Sequence, residues 1–363
     1  MTMKTIRLGV VGCGRVTQHY RKILDSGVVT GFSVAGVCDL KPEAAAPLAA
    51  HWGCPSYGTL DALLDGAKPD LVLVLTPSGH HHAHARRALE RGFHVLVEKP
   101  LAMRPDQARD LESLAREKGL MCGVAFQNRL NPAIRALRGA VDEGRFGKIV
   151  TATMRLRWCR TQEYYEDGWH GTWAMDGGVI NQQAIHHVDA LNWLAGPVEA
   201  VCAATARRAN KLEAEDTLIA AVRFASGALG TIEATTAARP QDFEASISIL
   251  GDAGFASVGG IALNKVDAWT FVAPKPGDAE VPARDSREVP NGYGLSHGPL
   301  LQAVLDALRA GSIVPPVPAS EGVKTSDLIH ALYRSEEIGG WVKLADRPAS
   351  ERLGLAAAAA ARS

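Results

Sequence analysis

Four stretches of this chain combine residue types and spacings that can do chemistry. The apolar run Ile6–Val11 leads into Gly12-Cys13-Gly14-Arg15-Val16-Thr17. Here Gly12 permits a tight turn, Gly14 lets backbone approach a pyrophosphate, and the helix opened by Arg15 and Val16 offers its N-terminus to that anion. Thr17 stands where the dinucleotide fingerprint has its third glycine, so the helix is expected slightly farther from the strand. The next apolar run ends at Asp39, where a carboxylate binds adenosine ribose hydroxyls; NAD rather than NADP is the expected cofactor. Asp39 is also placed to cap the following helix, and Lys41 beside it could meet a 2′-phosphate.

The second and third stretches sit after strand-like runs, where ligands of open α/β sheets bind. Leu71 to Leu75 delivers Thr76-Pro77-Ser78 and then His80, His81, His82 and His84. His80 and His84 could share a helix face as metal ligands, but no carboxylate or cysteine stands beside them, so the expectation is no metal and a cofactor border with His81 pointing inward. His94–Val97 ends in Glu98-Lys99-Pro100. Pro100 limits Lys99 to extended backbone, or follows a cis bond, and either fixes where the ammonium points, expected toward the nicotinamide. The fourth stretch runs from Gly177-Gly178 to Asp189. On one continuous helix Gln182, His186 and Asp189 share a face, and an amide, an imidazole and a carboxylate together can bind and deprotonate a hydroxyl. A satisfied histidine in a helix interior is the alternative.

Elements that position these residues are legible from periodicity. Strands are predicted at Ile6–Val11, Val34–Cys38, Leu71–Leu75, His94–Val97 and Met121–Phe126, with helices at Val16–Asp25, Lys41–His51, Leu60–Leu64, His82–Arg91 and Pro105–Lys118 between them, which implies a parallel sheet. A second pattern follows: a helix at Pro132–Glu143, a strand at Ile149–Cys159, one helix from Val179 to Leu194, and strands at Val198–Ala206, Thr217–Phe224, Ala228–Ala234, Glu244–Leu250 and Lys265–Val272 joined by short turns, as in a mostly antiparallel sheet. Residues 273–292 read as a surface loop, Leu300–Ala310 and Glu321–Glu337 as helices. The expected fold is α/β, with an N-terminal Rossmann domain over 1–125, a C-terminal α/β domain with a large open sheet over 126–345, and a tail over 346–363.

Composition narrows the partners. The 363 residues are 47% hydrophobic and 21% charged, so a sizeable core can form; 39 basic and 39 acidic side chains leave no net field for nucleic acid or an anionic membrane. No apolar run approaches the roughly 20 residues of a membrane span, and no signal peptide is read, so the cytoplasm is expected. Six scattered cysteines without paired spacing read as reduced thiols.

Taken together, the glycine loop with Arg15 and His19, Asp39, Thr76-Pro77 with His81, Glu98-Lys99-Pro100, and Gly177-Gly178 through His186-x-x-Asp189 resemble the family of glucose-fructose oxidoreductase, inositol dehydrogenase and MocA. That resemblance implies an NAD(P)-dependent sugar oxidoreductase in which Lys99 and His186 serve catalysis, with Gln182 where the family usually has an aspartate. It implies a cofactor held by Gly12, Gly14, Arg15, Val16, Asp39, Thr76, Pro77, His81, Glu98, Lys99 and Gln127, and an open sheet that builds dimers and tetramers. Arg157 through Tyr165, then Trp169 through Trp173 and Asp176-Gly177-Gly178, look most like the nucleotide-sugar branch, which oxidises the C3 hydroxyl of UDP-N-acetylglucosamine or its uronic acid. In that reading Arg157 and Arg160 pair with a diphosphate or carboxylate, and Tyr165 or Trp173 stacks on a sugar or base. His186 is the expected general base, Lys99 stabilises alkoxide charge, and Gln182 orients the hydroxyl or His186. Two other expectations stand beside it: a dehydrogenase of a free sugar, inositol or sugar lactone, and a non-catalytic NAD-binding sensor.

Overall fold

The computed structural model describes residues 4–355. Along the chain these form β1 (Ile6–Val11), α1 (Arg15–Asp25), β2 (Phe32–Cys38), α2 (Pro42–Trp52), β3 (Ser56–Tyr57), α3 (Leu60–Ala67), β4 (Leu71–Val74), α4 (His81–Glu90), β5 (His94–Val97), α5 (Pro105–Lys118) and β6 (Cys122–Val124). There follow α6 (Pro132–Asp142), β7 (Ile149–Arg157), α7 (Val179–Gln182), α8 (Ile185–Ala195), β8 (Val198–Ala206), β9 (Thr217–Phe224), β10 (Leu229–Thr235), β11 (Glu244–Gly251), β12 (Gly254–Gly259) and β13 (Lys265–Phe271). The last elements are α9 (Val281–Asp285), α10 (His297–Arg309), α11 (Ala319–Ile338) and β14 (Val342–Lys343). Two compact units result, one from the residues up to Phe126 with His297–Ser326, the other from Gln127–Ser296 with the residues from Asp327 on. Residues 297–326, assigned from the sequence to the second domain, thus pack with the first. Apolar positions such as Leu300, Leu301, Val304 and Leu305 bury one side of α10, which packs on α1 and β1.

In the first unit all six strands run parallel in the order β3-β2-β1-β4-β5-β6. β4 is apolar at every position and buried throughout, as a central strand covered on both faces must be. The order reverses between β1 and β4, so the loops after their carboxyl ends flank the switch point where such sheets bind ligands.

The second unit is built on an eight-stranded sheet, β13-β12-β11-β7-β10-β9-β8-β14. Its pairings are antiparallel except that β7 and β10 run parallel. Strict in-out alternation along β9 shows why: one face is covered and the other is not. α8 covers it across β7 and β11.

Some elements depart from the sequence reading. Strands β3 and β14 have two residues each, too few for a periodicity to register, and β12 is framed by glycines that read as turn. Within 273–292 lies the short helix α9. The single helix expected from Val179 to Leu194 is two, because the Ala184 N–H reaches back five residues to the Val179 carbonyl (2.8 Å), a widened turn that ends α7 before α8 begins. The alanine run 356–361, part of the expected tail, lies outside the described residues.

Candidate active site

The glycine loop is shaped by two contacts. Gly12 has φ +92°, and a Cβ there would lie 2.8 Å from the Leu75 carbonyl and the Thr76 nitrogen. Only glycine lets β1 end this close to the segment after β4. Thr17, buried, donates its hydroxyl to the Gly12 carbonyl (2.6 Å), so the residue in place of the third glycine ties the helix to the loop. α1 starts at a Gly14 cap with no side-chain hydrogen bond and carries no acidic residue in its first turn. A Cβ on Gly14 would meet nothing within 4 Å. That open cradle over a helix N-terminus fits a dinucleotide pyrophosphate.

Asp39 closes the cradle's other side. Its Oδ2 accepts the Cys13 N–H and its Oδ1 the Lys41 N–H, both at 2.8 Å, while Lys41 itself is the α2 N-cap. Each carboxylate oxygen keeps lone pairs for ribose hydroxyls. Arg15 is exposed and Val16 half-buried on the first turn of α1.

His81, fully buried, joins the two ligand loops of the unit. Its Nδ1 lies 2.6 Å from the Pro100 carbonyl and its Nε2 2.8 Å from that of Thr76. Burial, the largest cause, pushes the imidazole down to about 4, so at neutral pH it carries one N–H and donates to one of the two. Thr76 Oγ1 is 3.1 Å from His84 Nδ1, and Pro77 is half-buried beside it. Lys99 precedes a cis bond to Pro100 and is half-buried. The preceding Glu98 turns inward, where its carboxylate accepts the Tyr20 hydroxyl (2.9 Å) and the Lys99 N–H (3.2 Å).

In the second unit, His186 is buried in the first turn of α8. Gln182 ends α7 and donates its amide to Asp176, whose other oxygen accepts the Gly171 N–H (2.7 Å). Asp189 forms a buried two-pronged pair with Arg129, at 2.8 and 2.7 Å. The helix expected to be continuous has a turn at Gln183-Ala184 between Gln182 and His186, and the Asp189 carboxylate serves the Arg129 guanidinium.

What aims α7 is Glu215, which the sequence reading did not single out. Its carbonyl accepts the Val179 N–H (3.0 Å), and its Oε1 accepts the Ile180 N–H (3.1 Å) and the Tyr333 hydroxyl (3.0 Å). Gly178 makes room, since a Cβ there would lie 2.1 Å from Glu215 Oε2. Burial pushes this carboxyl up to about 8. Gln127, Gln183 and His187 carry buried side-chain polar atoms with no partner among the described residues.

Residues expected to grip the substrate are otherwise engaged. Arg157 sets its fork on Glu233 (2.6 and 2.9 Å) and Glu244 (3.1 Å), and Arg160 contacts Asp242 (3.0 Å) beneath the rings of Trp158 and Tyr164. Tyr165 is buried with its hydroxyl 2.8 Å from Thr236 Oγ1. Trp173 packs edge to face on Tyr333 under the Arg352 guanidinium.

Comparison with known proteins agrees with this architecture. Residues 6–126 match the NAD-binding Rossmann-fold model, and residues 138–344 the C-terminal alpha/beta-domain model, of the Gfo/Idh/MocA oxidoreductase family. A D-glucoside 3-dehydrogenase of Escherichia coli is 28% identical over 95% of this chain and 99% of its own length. The WlbA dehydrogenase of Chromobacterium violaceum, solved with NADH and UDP-GlcNAcA, is 35% identical with a TM-score of 0.87 over 94% of this chain and 97% of that one. The Bordetella pertussis WlbA, solved with the same two ligands, is 36% identical with a TM-score of 0.86, over 94% and 98%.

Proposed function

The chain belongs to the Gfo/Idh/MocA oxidoreductase family, and from that premise we propose that it oxidises a secondary alcohol of a UDP-linked amino sugar to a ketone. The favoured substrate is the C3 hydroxyl of UDP-N-acetylglucosamine or its uronic acid. The observation that carries this reading is likeness over 94% of the chain to two dehydrogenases solved with NADH and UDP-GlcNAcA.

Gly12, Gly14, Arg15, Val16, Asp39, Thr76, Pro77, His81 and Gln127 serve the cofactor in this reading, with Glu98 holding the Lys99 backbone. Bound there, NAD supplies the hydride acceptor. His186 takes the hydroxyl proton on a ring nitrogen, and the Lys99 ammonium stabilises the alkoxide charge that develops. Gln182, fixed by Asp176, orients the substrate. Arg157 and Arg160, held by carboxylates, frame the substrate loop together with Tyr165 and Trp173. Six free thiols accord with a reducing compartment, and we place the enzyme in the cytoplasm as a dimer or tetramer.

One observation favours a second reading, a free sugar or glycoside: the engaged guanidinium groups leave the diphosphate without its expected partners. Incubation with NAD and a panel of UDP-sugars and free sugars, followed by NADH absorbance and product mass, separates the two. Loss of two hydrogens from a UDP-amino sugar is the expected result; reaction of free sugars alone replaces the leading reading with the second. NAD binding without any turnover points to a sensor. Lys99→Ala is expected to lose turnover while NAD affinity stays near the parent value.

A further inference from the structure

In the second unit, residues 350–354 follow β14 and are tied at one end to α11 and at the other to the loop that leads into α7. Ser350, buried, is the anchor: its N–H donates to His330 Nδ1 (3.0 Å) and its hydroxyl to Glu337 Oε1 (2.6 Å), both on α11. The Glu351 N–H donates to the same carboxylate (3.1 Å), and the N–H groups of Arg352 and Leu353 each donate to the Ser350 hydroxyl oxygen (3.0 Å). Burial pushes the Glu337 carboxyl up, but the Ser350 hydroxyl, the Glu351 N–H and the guanidinium groups of Arg334 and Arg352 outweigh it and hold the group below its ordinary value. The anchor is therefore an anion at neutral pH.

From that anchor the segment reaches the loop 173–178. The Gly354 N–H donates to the Trp173 carbonyl (2.9 Å). The Arg352 guanidinium lies over the Trp173 ring, 4.5 Å from its centroid, and pairs with Glu336 and Glu337. Leu353, fully buried, presses on Gly177, where φ is +76° and a Cβ would lie 2.7 Å from Leu353 Cδ1. On α11 the buried Tyr333 hydroxyl accepts the Gly178 N–H (3.0 Å) and donates to Glu215 Oε1 (3.0 Å). Gly177 and Gly178 have no side chains of their own to bury, and glycine loses more backbone freedom on ordering than any other residue. A loop of this kind stays ordered through what is packed upon it.

We propose that residues 350–354 are a strap that positions the substrate loop, with Arg352 and Leu353 as positioning residues that act through Trp173 and Gly177 on α7 and its Gln182. The proposal rests on the reading in which Gln182 orients the sugar. Gly178 is the N-cap of α7 and Gln182 its last residue, so the short helix carries a displacement at Gly177 to the Gln182 amide. A loop ordered in advance loses no further freedom when the sugar binds, whereas a loosened one subtracts that ordering from the affinity. An orienting amide held out of place also slows the chemical step. The glycine cradle for NAD belongs to the other unit, so the signature of the strap is altered sugar kinetics with NAD affinity unchanged.

The test compares the NAD-bound parent with Leu353→Ala, Leu353→Met and Arg352→Gln. Amide hydrogen exchange, read without any sugar, is expected to quicken about tenfold or more at Gly178, Val179 and Ile180 in Leu353→Ala, relative to β7 in the same unit. Leu353→Met keeps the buried volume and is expected to return the parent rate. Arg352→Gln is expected to move the same amides by a smaller factor. With whichever sugar the parent turns over, KM for that sugar is expected to rise about fivefold in Leu353→Ala and kcat to fall, while the dissociation constant for NAD stays at the parent value. A strap that only stabilises the fold lowers the thermal midpoint but leaves sugar kinetics and the exchange of the loop relative to β7 where they were, and that result overturns the proposal. Loop exchange that quickens with no change in sugar KM or kcat overturns it too. Should Leu353→Ala not fold, Arg352→Gln carries the comparison. The exchange arm needs no sugar, so it decides the matter even if the UDP-sugar reading fails.

Discussion

Gln182, His186 and Asp189 have the spacing of a catalytic face, yet each answers to a different neighbour: Asp176 holds the first, Arg129 the last, and the start of α8 presents the second. Spacing registers position along a helix and not a break within it. The start of α7 is held by Glu215, a buried carboxyl from the segment before β9. Because its folded value lies near 8, above the ordinary 4.5, folding binds a proton there. The stability it contributes is fully present below about pH 4.5 and is lost as pH rises through about 8. Glu215→Gln mimics the protonated form and cannot ionise. Its thermal midpoint relative to the parent is therefore expected to rise steadily from pH 4.5 to 8, and a gap that stays flat would show that this carboxyl titrates at its ordinary value in the folded protein.

At the scale of elements, the β1–α1 turn separates folding from binding in two glycines two residues apart. In Gly12→Ala the new methyl meets backbone at 2.8 Å in a left-handed conformation, and a destabilisation of about 1–3 kcal/mol or more is expected by denaturant titration. In Gly14→Ala the methyl enters open space, so stability should stay within about 0.5 kcal/mol. The same methyl fills the pyrophosphate cradle, and isothermal titration should show NAD affinity falling about tenfold or more, the equivalent of roughly 1.4 kcal/mol. Unchanged affinity in Gly14→Ala would move the pyrophosphate away from this turn. The glycine pattern, its strand and its helix were all legible in the sequence. Thr17 was legible only as a departure, since its hydrogen bond to Gly12 exists only once the turn is folded.

Across the whole molecule, the uncovered face of the eight-stranded sheet is what remains unaccounted for in one chain. Leu229, Thr151, Leu250 and Phe255 are direct cross-strand partners and so line one row of one face. Leu229 is 55% exposed and Leu250 and Phe255 44% each, an apolar row that a second copy can cover. Light scattering after size exclusion should report a dimer or tetramer for the parent and a smaller species for the double variant Leu250→Glu, Phe255→Glu. A parent that runs as a monomer removes the oligomer from the proposed function. Among the described residues no helix is long and apolar enough to cross a membrane.

Local rules are enough to read much of this protein from its residues. Alternating apolar runs and amphipathic helices identify the parallel sheet, a glycine turn after the first strand identifies its cofactor, and the run from Gly12 to Asp189 identifies the family. These features survive in sequence because each depends on neighbours a few positions away. Tertiary structure decided the rest, for the opposite reason. Whether Arg157 is free for an anion depends on Glu233 and Glu244 from two other strands. That Glu98 turns inward depends on Tyr20. Charge pairs and buried hydrogen bonds are set by which distant groups the core brings together, and no spacing along the chain encodes that meeting.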